Sequence, residues 1–393
     1  MKNFTRRGFL GGAAAAVGTL ALPDIALAKG IRRIPGWKPH FAPQQSREAE
    51  YDALAHLSSN ENPFGPSQKT LDAMTHAFKY AMRYGYPDND VTRKIADAHG
   101  VGTEHIALGA GSSETLEMVG LTYLGHDKKV IGVQPTYLTV FGTATGIDAD
   151  AIMLPLKSDY TQDVEMIVDA AKRHYRELGL VYLCNPNNPT GAPMTASEIA
   201  YVVENVPEDV PILIDEAYHH FVEDPAYEES IKYVTEGRRV VIARTFSKLY
   251  GLAGVRIGFG IAPPDMIQEM APYTTGTISA LARYAAVAAM EDTASQQMVL
   301  DHNRHWREQT RADLASLGYE SIPSSTNFFM VDLGRRVAPV REAFRDRRVA
   351  VGRDFPPMLN HLRVSIGSEE EMGRFMNAFE DVMRQTATNN SGG

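Results

Sequence analysis

Apolar residues recur in two patterns after about residue 68, one at helical spacing and the other as short unbroken runs. The helical pattern is clearest in SQKTLDAMTHAFKYAM, which Ser67 can cap at its amino end. Its apolar positions are Leu71, Met74, Ala77, Phe78 and Ala81. The spacing predicts an amphipathic helix that begins near residue 68.

The unbroken runs are short, rich in aliphatic residues, and separated by helical stretches such as TASEIAYVVENV. They are KVIGVQP, LVYLCNP, PILIDEA, RVVIARTF and RIGFGIA. Strands that are buried on both faces have this near-continuous apolar pattern. The chain therefore has the pattern of an α/β fold, with a mostly parallel sheet between two layers of helices.

The pattern changes again near residue 290, where a long charged helical stretch precedes the strand-like runs NFFMVDL and LRVSIG. This change predicts a smaller α+β domain after the large one. Residues 30–66 are rich in Pro and Gly and indicate an irregular arm. The predicted segments are a signal peptide (1–28), an arm (29–66), a large domain (67–290), a small domain (291–385) and a flexible tail (386–393).

The amino terminus has the pattern of an export signal. Arg6 and Arg7 precede a modest Ala/Gly/Leu stretch, and Ala26-Leu27-Ala28 gives an A-x-A cleavage site. The paired arginines before Gly-Phe-Leu resemble the twin-arginine type, which exports folded proteins, so we expect a periplasmic protein with no stable membrane span after cleavage. The alternative is a short anchor or a frayed helix on a cytoplasmic protein.

Composition narrows the function. The 393 residues are 44% hydrophobic and 22% charged, as in ordinary globular proteins, and the formal net charge is −9. This balance lacks the basic surface that nucleic acid or anionic lipid requires, so small molecules are the expected partners. Cys184 is the single cysteine, and no Cys/His cluster has zinc spacing, so neither a disulfide within the chain nor a metal site is predicted.

Polar residues whose side chains can take part in catalysis or binding follow three of the apolar runs. Asn185-Pro186-Asn187-Asn188 follows LVYLC, Asp215-Glu216-Ala217-Tyr218 follows PILI, and Arg244, Thr245, Ser247 and Lys248 follow VVIA. Active residues of α/β sheets concentrate at the carboxyl ends of strands. These neighbouring ends offer an amide, a carboxylate with a phenol, and an amine.

A lysine desolvated at a strand end has a lowered pKa and attacks carbonyls, as in the covalent link to pyridoxal phosphate. That cofactor also needs an acidic partner for its ring nitrogen and a site for its phosphate. Asp215 can pair with the nitrogen, while Tyr218 and Asn188 can hydrogen-bond the ring oxygen. Lys248 is the candidate for the covalent link.

A phosphate site is also present in the sequence. In GAGSSETLEMV, Gly111, Ser112 and Ser113 precede a helical stretch whose first amides can bind an anion. Arg256, eight residues beyond Lys248, adds a guanidinium fork.

Each of these features has a plainer interpretation when taken alone. Lys248 and Arg256 could be solvated surface charges, and Asp215 could be a helix cap. GAGSS fits any strand-to-helix turn, and NPNNPTG could be only an Asn/Pro turn. Their joint order favours the cofactor site.

Eight motifs occur in one order between about Leu57 and Gly367. They are LSSNENPFGPS, YGYPDND, GAGSSE, PTY, NPNNPTG, DEAY, RTFSKLYGLAGVRIG and LRVSIG. In this order they resemble the fold type I, class I/II pyridoxal-phosphate aminotransferases, and among them the histidinol-phosphate aminotransferase branch. The resemblance implies a homodimer with shared active sites.

The resemblance also implies roles for single residues. Lys248 would hold the cofactor and move a proton, Asp215 would keep the ring nitrogen protonated, and Tyr137 would stack on the ring. Asn188 and Tyr218 would hold the ring oxygen. The implied phosphate ligands are Gly111, Ser112, Ser113, Thr245, Ser247 and Arg256. Tyr137 could instead be a core aromatic residue.

Four further residues have implied roles, one towards a cofactor and three towards the substrate. Tyr86 would reach the phosphate of the partner's cofactor, Arg363 would bind the substrate carboxylate, Arg353 would bind a substrate phosphate, and Asn62 would contact the substrate. Tyr86 could also be a turn residue and Arg363 an edge-strand charge. VGRDFPP, the sequence around Arg353, departs from the family pattern.

The predicted function is a pyridoxal-phosphate aminotransferase that moves an amino group from an amino-acid donor to a 2-oxo acid by a ping-pong route. Two enzymatic alternatives are a lyase, decarboxylase or oxidase on the same fold, and a histidinol-phosphate aminotransferase proper. An alternative of another class is a binding protein that retains the fold without the cofactor.

Overall fold

The computed structural model describes residues 48–388 except residues 275 and 277. The predicted signal peptide lies outside the described residues, as do the first part of the predicted arm and residues 389–393. Among the residues described, no helix combines the length and the hydropathy that a membrane crossing requires.

The described residues form eleven strands and thirteen α-helices. The strands are β1 Ala55–Leu57, β2 Ile106–Gly109, β3 Lys129–Gln134, β4 Asp150–Pro155, β5 Leu178–Cys184, β6 Ile212–Asp215, β7 Val240–Thr245, β8 Gly258–Ile261, β9 Phe328–Asp332, β10 Val349–Val351 and β11 His361–Ser365. The helices are α1 Glu48–Asp52, α2 Gln68–Ala77, α3 Val91–Ala98, α4 Ser112–Tyr123, α5 Thr139–Gly146, α6 Val164–Arg173, α7 Ala196–Asn205, α8 Ile231–Thr235, α9 Pro264–Met270, α10 Ala280–Met290, α11 Thr293–Ser316, α12 Val337–Asp346 and α13 Glu369–Thr388.

The large sheet has seven strands in the order β2-β8-β7-β6-β5-β3-β4. Strand β8 is antiparallel to both of its neighbours, and the other pairs are parallel. All five apolar runs are strands of this sheet, so the predicted α/β class with a mostly parallel sheet is confirmed.

Both faces of the sheet are covered by apolar packing. In β6, Ile212 and Ile214 belong to the core on one face, whereas Leu213 belongs to the core on the other. Strand β7 alternates in the same way, with Ile242 on the first face and Val241 on the second. Because successive side chains of a strand point to opposite faces, a strand packed on both faces is apolar throughout.

The first predicted helix is α2, and its cap is confirmed. Ser67 Oγ accepts a hydrogen bond from the backbone N–H of Thr70, which satisfies one of the free amides of the first turn. The apolar positions that predicted this helix do not all face a core, because Leu71 and Phe78 are exposed. Spacing predicted the helix correctly, but it could not tell which apolar positions this chain buries.

The remaining strands form two small sheets. Strands β9 and β11 pair in antiparallel fashion, and β1 pairs in parallel with β10. Strand β1 lies inside the predicted irregular arm and was not expected. Ala55 and Leu57 are fully buried on either side of His56, and a three-residue alternation is too short to stand out in the sequence.

The last helix, α13, reaches Thr388, three residues into the predicted tail. Thr386 is buried, and its hydroxyl donates to the Val382 carbonyl at 2.8 Å, which explains why the helix continues there. The boundary near residue 290 stays a prediction, and it falls between α10 and α11.

Candidate active site

Three neighbouring strands of the large sheet end at the same edge. Cys184 of β5 is paired with Asp215 of β6, and Asp215 is paired with Ala243 of β7. Because the three strands are parallel, the residues after them emerge side by side. The structure therefore brings the polar segments that follow these strands together, as expected from the sequence.

Lys248 follows β7 by three residues and is partly buried. Its amine donates to the Ser59 carbonyl at 3.1 Å and lies 5.6 Å from the centre of the Tyr218 ring. Burial, together with the nearby charge of Arg363, lowers the pKa of Lys248 to about 8. About a tenth of this amine is consequently neutral and nucleophilic at pH 7, far more than of an ordinary lysine.

Asp215 is the last residue of β6 and is buried. Its carboxylate accepts hydrogen bonds from the Ala217 amide and the Tyr182 hydroxyl, each at 3.2 Å. Burial raises the pKa of Asp215 to about 6, although both hydrogen bonds act in the opposite direction. This carboxylate is held in place by neutral donors and has no cation hydrogen-bonded to it among the residues described.

A chain of side-chain hydrogen bonds crosses the site. Arg363 Nη1 donates to Asn188 Oδ1 at 2.7 Å, and Asn188 Nδ2 donates to the Tyr218 hydroxyl at 3.5 Å. Asn60 Nδ2 donates to the same hydroxyl at 2.9 Å. These bonds link the two predicted ligands of the ring oxygen to the predicted carboxylate ligand.

Asn60 was missed by sequence reasoning. It is buried with φ of 55°, a conformation that Asn tolerates better than most residues, and it exchanges hydrogen bonds with Ser365. Asn60 lies in the motif LSSNENPFGPS, which could have indicated a site residue, but the prediction from that motif was Asn62. Asn62 donates to the Leu249 carbonyl, accepts from the Phe64 amide, and lines a small pocket with Lys248.

The predicted phosphate turn lies at the start of α4. Gly111 has φ of +84°, and a side chain there would overlap the Arg256 guanidinium. Arg256 donates to the Ala110 carbonyl at 2.6 Å and to Ser247 Oγ at 3.5 Å, and Thr245 Oγ1 donates to Ser247 Oγ at 2.8 Å. The turn, the arginine and the two hydroxyls thus form one cluster at the amino end of a twelve-residue helix.

Tyr137 follows β3 and joins this cluster. Its hydroxyl lies 3.3 Å from Ser113 Oγ, and its ring is partly buried against the core that covers one face of the sheet. The remaining predicted ligand of the cluster, Ser112, begins α4 and is buried.

Arg363 lies in β11 and is buried. Besides Asn188, it donates to the Ser58 carbonyl at 2.6 Å, whereas its Nε has no partner among the residues described. Burial lowers the pKa of Arg363 to about 10. A buried guanidinium that pairs with no carboxylate of the described chain is a candidate ligand for an external anion.

Two predicted residues form no hydrogen bond with this constellation among the residues described. Arg353 is exposed and donates to the Asp354 carbonyl at 2.8 Å. The Tyr86 hydroxyl donates to the Ile278 carbonyl of the same chain, and its role towards a partner's cofactor stays a prediction.

A buried ion-pair cluster lies beside the site and was not predicted. Arg244 of β7 contacts Glu216 at 2.6 Å and Glu229 at 2.9 Å. Glu216 also accepts from the Ser230 amide at 2.9 Å. Since Glu216 follows Asp215 directly, this cluster fixes the backbone that carries the catalytic carboxylate candidate. No group of three or more potential metal ligands occurs within the part of the chain that is described.

Chemically, the site combines a nucleophilic amine, a buried carboxylate, a phenol with two amides, an anion-binding helix terminus and a guanidinium that has no carboxylate. This set can bind a phosphorylated aldehyde cofactor and an amino acid side by side.

Comparison with known proteins agrees with this chemistry. The model of the family "Aminotransferase class I and II" matches residues 53–379. A histidinol-phosphate aminotransferase from Nitrobacter winogradskyi is 34% identical over 362 residues, covering 90% of this chain and 95% of the relative. Another from Halalkalibacterium halodurans is 31% identical and covers 90% of this chain and 96% of the relative.

A solved structure agrees in fold as well. The histidinol-phosphate aminotransferase from Sinorhizobium meliloti in complex with pyridoxal 5′-phosphate has a TM-score of 0.80 at 26% identity, covering 90% of this chain and 99% of that one. The predicted fold type, enzyme class and cofactor are thereby confirmed. The chain belongs to the class I and II aminotransferase family and is a pyridoxal-phosphate-dependent aminotransferase of fold type I.

Proposed function

We propose that the enzyme transfers the amino group of an α-amino acid to a 2-oxo acid by a ping-pong route, with Lys248 as the proton carrier and Arg363 as the ligand of the donor carboxylate. One observation carries the proposal. The hydrogen bonds from Arg363 through Asn188 to Tyr218 join the carboxylate-free guanidinium to the ring that lies beside the Lys248 amine.

The residues present fit the cofactor. The overlap that a side chain at Gly111 would make with Arg256 shows that the guanidinium packs directly on the turn, where it and the first amides of α4 can bind the phosphate. Asp215 would pair with the ring nitrogen, and Tyr218 with Asn188 would hold the ring oxygen. When bound, the cofactor supplies an electron sink that stabilises negative charge at the Cα of the donor.

The remaining work falls to side chains of this protein. Lys248, with a pKa of about 8, can accept a proton at Nζ from the donor Cα and would deliver it to the cofactor carbon that receives the amino group. Arg363 would bind the donor carboxylate through its Nε–H, which has no partner among the residues described, and through its neighbouring Nη–H groups. This would orient the donor so that its Cα proton faces the Lys248 amine. Asp215 would favour a protonated ring nitrogen through its buried negative charge.

The Lys248→Ala variant tests the central assignment. Borohydride reduction of the wild-type holoenzyme should fix the cofactor covalently to a peptide that contains Lys248, and the variant should give no adduct by mass spectrometry. Lys172→Ala, at an exposed position of α6, is the matched control and should give the full adduct. A persistent adduct in Lys248→Ala would overturn the role of this lysine.

The reaction fate separates transamination from its alternatives. Transamination yields one amino acid per 2-oxo acid consumed and leaves no free ammonia. Release of ammonia or carbon dioxide without an acceptor would favour a lyase, decarboxylase or oxidase.

Histidinol phosphate is a second candidate donor, because the relatives compared above carry that activity in their names and Arg353 presents an exposed guanidinium. Kinetics with 2-oxoglutarate as acceptor decide between the two. A kcat/KM for histidinol phosphate well above that of every amino acid in a panel would establish the second candidate.

We also propose that the enzyme is a homodimer with shared sites. The support is an exposed apolar set close in sequence to Tyr86, namely Leu71, Phe78, Met82 and Tyr84. A partner subunit would remove this surface from water. Light scattering should give twice the chain mass, and Phe78→Glu should shift the protein towards the monomer. A monomeric wild-type holoenzyme would contradict the proposal.

For location, we propose export to the periplasm through the twin-arginine-type signal of residues 1–28. Fractionation should find the wild-type protein in the periplasm with Lys29 as its new amino terminus. Replacing Arg6 and Arg7 by lysine should retain the full-length protein in the cytoplasm. Full-length wild-type protein in the cytoplasm would contradict export.

A further inference from the structure

The Phe355 ring is a common support for two arginines. The guanidinium carbon of Arg353 lies 4.4 Å from the ring centre, and that of Arg363 lies 4.7 Å from it. The two carbons are therefore within roughly 9 Å of each other, and each cation gains from the electron-rich ring. Phe355 itself is 5% exposed.

The ring is held in place from several sides. The Phe355 carbonyl accepts a hydrogen bond from the Met358 amide at 2.8 Å, and the ring packs in a small apolar cluster with Ile322 and Met330. Met330 lies opposite Arg363 in the register of β9 and β11. The support for Arg353 is thus built onto the same pair of strands that carries Arg363.

Neither arginine has an ion-paired carboxylate among the residues described, although the charge of the neighbouring Asp354 acts on Arg353. The contacts of Arg353 are a hydrogen bond to the Asp354 carbonyl and the Phe355 ring. Two like charges at this separation repel, so without the ring the exposed Arg353 side chain would extend into water. A ligand that carries two negative charges would relieve this repulsion.

We infer that Phe355 is a positioning residue that holds Arg353 beside Arg363, so that the enzyme prefers donors with a second anionic group, carboxylate or phosphate, on a short side chain. This inference rests on the proposed function, in which Arg363 binds the donor carboxylate. Phe355 acts through the two arginines and does not touch the reacting atoms.

Isosteric donors measure the effect directly. For the holoenzyme, the preference for a second carboxylate is the ratio of kcat/KM for L-glutamate to that for L-glutamine. The preference for a phosphate is the same ratio for O-phospho-L-serine and L-serine. Whichever ratio is larger in the wild type identifies the second anion. Phe355→Leu should lower that ratio about tenfold, mainly through KM of the acidic donor, because the ring contact is lost. Phe355→Tyr, which keeps the ring, should retain it.

Two controls separate positioning from a structural role. Ile322→Val removes apolar volume from the same cluster and keeps the Phe355 ring, so both donors should respond alike. Arg353→Gln should remove the preference, and Phe355→Leu added to it should change the ratio no further, since both variants break one interaction. An equal loss for both donors of a pair in Phe355→Leu would overturn the inference.

A binding readout keeps this test independent of turnover. Calorimetric titration of the holoenzyme with glutarate and with butyrate should show tighter binding of the dicarboxylate, and Phe355→Leu should reduce this difference. If no donor is transaminated but glutarate retains this advantage, the proposed function fails and the inference stands. If donors are transaminated with equal kcat/KM for each isosteric pair, the inference fails and the proposed function stands.

Discussion

Two buried arginines of this enzyme have opposite surroundings. Arg244 is 1% exposed and donates to the carboxylates of Glu216 and Glu229. Arg363 is 7% exposed, yet among the residues described it donates only to an amide oxygen of Asn188 and the Ser58 carbonyl. Residue type and burial are therefore nearly the same, and the partners differ.

The partners decide what each arginine does. Burial alone would lower the pKa of Arg244, but its two carboxylates reverse the effect and raise it. Burial lowers the pKa of Arg363 to about 10, and no carboxylate among the residues described forms an ion pair that would offset it. A buried cation that is neutralised by its own chain is part of the framework, whereas one that is not neutralised is available to an anionic substrate.

The largest expected effect is on catalysis, at Arg363. Arg363→Gln should lower kcat/KM for an amino-acid donor about 10³-fold, or about 4 kcal/mol, because the carboxylate loses its charged partner. The melting temperature should stay level or rise, since an unneutralised buried charge is removed. Arg363→Lys should recover only part of the activity, because an ammonium lacks the fork. A loss below tenfold would contradict the assigned role.

Arg244 should respond in the opposite way, in stability. Arg244→Gln leaves Glu216 buried without its cation and should lower the free energy of unfolding by about 3 kcal/mol, measured by urea denaturation of the apoenzyme. Adding Glu216→Gln should recover part of the loss, because the stranded charge is then removed. A stable Arg244→Gln variant with strongly reduced substrate affinity would erase the contrast with Arg363.

Asp215 extends the comparison to a buried anion. Its folded pKa of about 6 lies above the ordinary value of 3.8, so the folded apoenzyme binds more protons than the unfolded chain between these values. Stability should therefore fall as pH rises from about 4 to 6, by about 2 kcal/mol. Asp215→Asn should flatten this slope in denaturation curves of the apoenzyme. An unchanged slope would show that another group is responsible.

The sequence predicted those parts of the site that local patterns encode. Lys248, Asp215 and Asn188 follow apolar runs, and parallel strands bring such ends to one edge, so their proximity followed from the strand pattern. Gly111 and Ser112 were predicted because a glycine turn before a helix has a local signature.

Features that depend on distant pairings were not predictable. Asn60 reaches the Tyr218 hydroxyl across 158 positions of the chain, and no periodicity encodes that contact. The ion-pair partners of Arg244 could not be predicted either, because the sequence near a strand end does not show which distant carboxylates will contact it. Helix α2 shows the same limit, since the spacing of Leu71 and Phe78 gives a helix but not its neighbours.

The smallest expected effect concerns the hydrogen bonds from neutral donors to the Asp215 carboxylate. Tyr182→Phe removes the hydroxyl that donates to the Asp215 carboxylate at 3.2 Å. Because this bond favours the charged form, its loss should move the pH midpoint of apoenzyme stability upward and cost about 1 kcal/mol at pH 7. Tyr233→Phe is the matched control, since the buried Tyr233 hydroxyl has no hydrogen-bond partner among the residues described. Equal shifts in the two variants would mean that the Tyr182 hydroxyl does not stabilise the Asp215 charge.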